Sequence, residues 1–121
     1  MEFKIEYETD ENGKQEVKYF LDELEKIHPD LVAQLKVKIN RVRNRSNHGK
    51  ALTEHIDDDL YAIRARYDRD IVRVFWTFGE KRDIWLLGGI RKQYNKLRKD
   101  DLKYAKKLLK AFKERRKYVK R

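Results

Sequence analysis

Phe3, Ile5 and Tyr7 alternate with Lys4, Glu6 and Glu8, the two-residue period of a strand with one buried face, and the polar run 10–14 follows as a turn. From Gln15 to Ile27 the period changes. Val17, Phe20, Leu21, Leu24 and Ile27 recur at helical spacing until His28-Pro29-Asp30 interrupts them. Pro29 suits the first turn of a second helix, where a missing N–H leaves no bond unmade. Leu31, Val32, Leu35, Ile39 and Val42 carry that helix to about Arg45, so the pair predicts a helical hairpin. Ser46 to Asp59, containing Asn47-His48-Gly49, reads as a loop.

Residues 60–92 then read as three strands joined by the polar turns Tyr67-Asp68-Arg69-Asp70 and Gly79-Glu80-Lys81-Arg82, lengths that fit antiparallel hairpins. The third strand, IWLLGGI, is apolar on both faces and is expected to be central or heavily covered. Gly88 and Gly89 near its end mark a bend or a close backbone approach. In the final helix, turned at about 100° per residue, Leu102, Ala105, Leu108, Leu109, Phe112 and Val119 fall on one arc. Lys103, Lys106, Lys107, Lys110, Lys113 and Lys117 fall on another, so one side packs and the other is cationic. Asp100 or Asp101 is the expected N-cap.

The fold class is therefore α+β: a mostly antiparallel sheet, formed by the N-terminal strand and a three-strand meander, packed by a helical hairpin and a C-terminal basic helix. A chain of 121 residues suits a single domain over 1–121. The net charge of +10 changes the picture through its placement. Residues 91–121 hold 15 Lys or Arg against 3 Asp or Glu, whereas residues 1–90 hold 16 against 18. Such asymmetry favours RNA, DNA or an acidic protein as partner, through phosphate neutralisation and counterion release. The start of the chain is not signal-like, and no run reaches the roughly 18 apolar residues of a membrane span. A soluble cytoplasmic protein is expected.

Cysteine is absent, which removes disulfides, thiolate metal sites and cysteine nucleophiles. His28, His48 and His55 lack metal-site spacing, and consecutive Asp57, Asp58 and Asp59 cannot all face one point, so no metal or other cofactor is expected. The meander offers more. Arg64 and Arg66 share one strand face, about 6.5 to 7 Å apart, near the reach between neighbouring phosphates of a single strand. Arg73 interrupts the apolar IVRVFW, and Arg91 and Lys92 close the third strand. Cations set among core-building side chains suggest a surface that grips a polyanion. The structural alternative for Arg73 is a salt bridge to Asp68, Asp70 or Asp83; for Arg64 and Arg66 it is a solvated face.

The order strand, helix, helix, three-strand meander, helix resembles the RelE/ParE superfamily of type II toxins, in its HigB-like, phage Gp49-like branch. That family's L-W-E-L-R pattern resembles Leu60-Tyr61-Ala62-Ile63-Arg64, and its Y-R-V-L-Y-F resembles Ile71 or Val72 followed by Arg73-Val74-Phe75-Trp76. Its L-H-G-F-x-K-K resembles Leu87-Gly88-Gly89-Ile90-Arg91-Lys92. Gly88 stands for the usual His, Ile90 for Phe, and no Thr-Pro opens the last helix. The resemblance implies a metal-independent endoribonuclease that cuts mRNA on the ribosome and is held by a cognate antitoxin. Its catalytic groups would be Arg73, with Arg91 or Lys92 beside it, and Tyr94 as acid or base, with Tyr104 the second choice. Arg64, Arg66, Lys103, Lys106 and Lys110 would bind RNA. A gyrase-targeting toxin of the ParE kind and a non-enzymatic basic module that binds nucleic acid or protein remain the alternatives.

Overall fold

A computed structural model describes residues 2–49 and 52–116. In chain order these form β1 (Lys4–Tyr7), α1 (Glu16–Glu25), α2 (Pro29–Val42), a 3₁₀ turn (Arg45–Asn47), β2 (Thr53–Asp57), β3 (Leu60–Tyr67), β4 (Asp70–Phe78), β5 (Asp83–Lys92) and α3 (Lys99–Arg116). The five strands lie in the order β1-β5-β4-β3-β2. β1 runs parallel to β5, and the other three pairings are antiparallel. The helical hairpin covers one face, where Val17, Leu21, Leu35, Val72, Val74 and Trp76 pack together. α3 covers the other, over Leu60, Ala62, Phe75, Leu87, Ala105 and Phe112.

The expected α+β architecture is present, with one strand more than the periodicity foretold. The segment expected as a loop from Ser46 to Asp59 contains β2, paired with β3 from Thr53 opposite Ile63 to Asp57 opposite Leu60. Its short length and charged side chains are those of an edge strand, which needs little apolar content and resists further pairing. Burial anchors it at one end only. The Thr53 hydroxyl accepts a hydrogen bond from the Trp76 indole at 3.0 Å and donates one to the Ala62 carbonyl at 3.1 Å.

β5 is an interior strand, as its two-sided apolar pattern requires. A bulge between Phe75 and Trp76 shifts its register against β4, and both helices come close to its glycines. A Cβ on Gly88 would lie 2.6 Å from Leu108 Cδ1 and 3.0 Å from the Tyr104 hydroxyl, while one on Gly89 would lie 2.7 Å from the Phe20 ring. Helix α3 begins at Lys99 rather than after an Asp100 or Asp101 cap. Asp101 occupies the third helical position and reaches back to accept from the Arg98 backbone N–H at 2.9 Å, half of a capping box. At its other end α3 meets the first strand's exit, where Arg115 and Arg116 bind the buried Glu8. Lys117 and Val119 of the expected helix faces lie outside the described residues. Among the described residues no helix is long and apolar enough to cross a membrane.

Candidate nucleic-acid interface

Register decides which cations meet. Arg73 of β4 is directly opposite Arg64 of β3 and Ile90 of β5, so all three side chains leave the sheet on the α3 side, where Ile90 joins the cluster under α3. Arg73 is 2% exposed. Its Nε donates to Glu54 Oε1 at 3.0 Å and its Nη2 donates to the Asn95 carbonyl. The ion-pair partner is therefore Glu54, on the strand taken for a loop, and none of Asp68, Asp70 and Asp83. Glu54 is the cross-strand neighbour of Ala62, which occupies the Glu position of the L-W-E-L-R pattern. A carboxylate missing from β3 is thus supplied by the adjacent strand. Glu54, Arg73, Asn95, Lys96, Leu97 and Leu102 line an open cleft of about 430 Å³.

The segment joining β5 to α3 is tied down beside this cleft. The Tyr94 hydroxyl donates to Asp101 Oδ2 at 2.7 Å, Lys92 Nζ lies 3.8 Å from Asp101 Oδ1, and the Arg98 guanidinium sits 3.7 Å over the Tyr94 ring. Burial, and then the bond to Asp101, push the Tyr94 phenol up from its ordinary value. The charges of Arg98 and Arg73 act in the other direction but do not prevail, so Tyr94 does not present a ready phenolate. For Asp101, burial alone would raise the carboxyl. The Arg98 N–H, the Tyr94 hydroxyl and the charges of Lys92 and Arg73 outweigh it and hold the group below the usual range. Tyr104, the second choice, stands over Phe75 with its hydroxyl above Gly88, filling space that a histidine at position 88 would need. Burial raises its phenol too.

Arg91 does not join Arg73. Adjacent residues of a strand face opposite ways, and Arg91 emerges on the α1–α2 side. There its Nη1 lies 3.6 Å from Asp70 Oδ2, which His28 Nε2 approaches to 2.5 Å. Lys92, on the α3 side, is the member of that pair near the cleft. Arg66 reaches the cleft rim, donating to Asn95 Oδ1 at 3.5 Å. The lysines of α3 divide: Lys106 pairs with Asp57 at 3.2 Å and Lys113 with Asp59 at 3.0 Å, fastening the helix to the β2–β3 turn. Lys103 and Lys110 are exposed. The His55 ring lies 5.1 Å from Tyr61, with Nε2 2.8 Å from the Asp58 carbonyl, a contact that makes Nε2 the protonated nitrogen of the neutral ring. Among the described residues no three His, Asp or Glu side chains converge as a metal site.

Sequence reasoning missed Glu54, Asn95 and Lys96. Asn95 and Lys96 had a signal, since they continue the basic run after Lys92; Glu54 became visible only through the register of β2. The described residues form a small basic α+β fold with an arginine at the floor of an open cleft. A model of the phage-derived Gp49-like proteins (DUF891) matches residues 20–110, and the chain belongs to that family, a toxin-like family related to RelE. The match runs from within α1 into α3, taking in β2 to β5 and the whole cleft. No curated protein matches the chain.

Proposed function

We propose that the protein is a metal-independent endoribonuclease, the toxin of a toxin–antitoxin pair, which cuts mRNA on the ribosome. The reading rests on Arg73. A guanidinium carries five N–H donors, and a bond to Glu54 and one to Asn95 fix its plane at the floor of a cleft open to a chain-like substrate. Attack of a ribose 2′-oxygen on the adjacent phosphorus breaks the P–O5′ bond. The 2′-hydroxyl gives up a proton and the 5′-oxygen gains one, leaving a 2′,3′-cyclic phosphate and a 5′-hydroxyl. Negative charge grows on the phosphoryl oxygens, where a donor already held in place needs no reorganisation. Lys92, Lys96 and Arg66 add positive charge around the same cleft, and Tyr94 acts through Asp101 by holding the 93–98 segment in position. Arg91, on the opposite face, lies outside the catalytic group. The cognate antitoxin would act by covering the cleft with acidic side chains.

Inducing the protein without an antitoxin should arrest growth and shorten transcripts within their translated regions, with 5′-hydroxyl ends mapped by selective ligation. Intact transcripts accompanied by gyrase-dependent DNA breaks would instead place the protein with gyrase-targeting toxins. Arrest with neither would leave a binding module.

A further inference from the structure

Beyond the end of β2 the outer edge of β3 is uncovered, and α2 closes it with side chains. Lys38 Nζ donates to the Arg64 carbonyl at 2.7 Å and Gln34 Nε2 to the Arg66 carbonyl at 3.2 Å. These residues and Glu54 line a recess of about 320 Å³. Glu54 also walls the Arg73 cleft, so the two spaces adjoin at that residue. The nearest carboxylate is already engaged by Arg73, and neither the Lys38 ammonium nor the Arg64 guanidinium has an acidic partner among the described residues. Burial, and then the positive charges of Arg64 and Arg41, hold Lys38 below the ordinary lysine range. Two uncompensated cations kept together in a half-buried recess are unfavourable unless an anion occupies it.

We infer that Lys38 and Arg64 form a subsite for one backbone phosphate of single-stranded RNA, next to the phosphate held at Arg73. The inference rests on the proposed ribonuclease reading and adds a direction to it. Arg64 is the cross-strand neighbour of Arg73, and directly opposed side chains on one sheet face begin about 4.5 to 5.5 Å apart. Their tips can therefore serve consecutive phosphates, roughly 6 to 7 Å apart in an extended strand, a spacing close to two residues along a β-strand. The RNA then crosses the sheet from β4 over β3 toward α2. The lysines of α3 lie along a different path, and two of those facing β2 are occupied by Asp57 and Asp59.

The test uses the full chain and a 2′-O-methyl hexaribonucleotide, whose blocked 2′-oxygen prevents cleavage, with binding measured across a salt series. Lys38→Gln should weaken affinity and reduce the slope of log K against log salt by about 0.7, the share of one single-strand phosphate. Lys38→Arg should restore the slope. Lys36→Gln removes the same charge from an exposed position of α2 that already pairs with Glu25, and should leave the slope unchanged. Equal losses in Lys36→Gln and Lys38→Gln, or no loss in either, overturn the subsite. A wild-type slope in Lys38→Gln together with weakened binding of poly-glutamate also overturns it, assigning the recess to an acidic protein. Cleavage of an mRNA on programmed ribosomes is followed in parallel: hexamer binding as expected without cleavage there removes the ribonuclease reading and leaves the phosphate subsite standing.

Discussion

Removing Arg73 would leave Glu54 without its counter-charge where the carboxylate side chain is only 33% exposed. Breaking a buried pair from one side costs about 3–5 kcal/mol, and the partial exposure of Glu54 brings the expected loss for Arg73→Ala to about 2–3 kcal/mol. Activity falls in that variant for two reasons at once, so the single mutant cannot separate them. Glu54→Ala combined with Arg73→Ala can. The double variant should regain at least about 1 kcal/mol of the stability lost, as expected for residues in direct contact, while cleavage stays reduced by about 10² or more, the loss expected for one preorganised donor. Urea unfolding and a single-turnover assay read the two quantities separately. Cleavage that recovers with the folded fraction would make Arg73 a purely structural residue. Arg73 was legible in the sequence because a cation interrupts an apolar strand. Its partner was not, because the Arg73–Glu54 contact depends on how β2 registers against β3. Arg91 and Lys92 look equivalent as neighbours in a basic run, yet strand alternation sends them to opposite faces.

At the scale of elements, β5 is paired on both sides, and its two glycines differ in what confines them. Gly88 faces Leu108 Cδ1 and the Tyr104 hydroxyl, the far ends of side chains that can rotate away. A Cβ on Gly89 would meet the Phe20 ring at 2.7, 2.7 and 3.1 Å, and a ring carried by α1 and packed on the sheet has less room to turn away. Overpacking costs about 1–3 kcal/mol. Gly88→Ala should fall near the lower bound and Gly89→Ala near the upper, measured by chemical denaturation; equal costs would mean that α1 yields as readily as α3. The helices and the meander were readable because each buries a regular apolar stripe. β2 was not, since an edge strand can be specified by one buried threonine, Leu52 before it and the hydrogen bonds of its neighbour. The start of α3 was displaced by a similar ambiguity: an aspartate near a helix end serves either as the cap or, three positions on, as the group that reaches back.

At the scale of the molecule, the basic excess near the C-terminus is partly spent inside the fold. Lys106 and Lys113 bind the β2–β3 turn, and Arg115 and Arg116 bind Glu8. Glu8 is 3% exposed, and both guanidinium side chains are about one third exposed, at 33% and 32%. Glu8→Gln keeps the shape and removes the charge, and should cost on the order of 2 kcal/mol, less than the ~3–5 kcal/mol of a fully buried pair. Thermal unfolding in low and high salt checks this, and the difference from wild type should persist in high salt because the carboxylate is shielded from ions. Composition revealed the charge asymmetry but not this use of it, since the partners are 107 and 108 residues apart. The same long closure bears on the order of synthesis. β1 pairs with β5, Lys4 opposite Asp83, and Glu8 waits for residues 115 and 116. During synthesis the sheet therefore cannot close until β5 has left the ribosome, and Glu8 stays unpaired until α3 follows it, so the proposed cleft is assembled late and from segments made far apart in time.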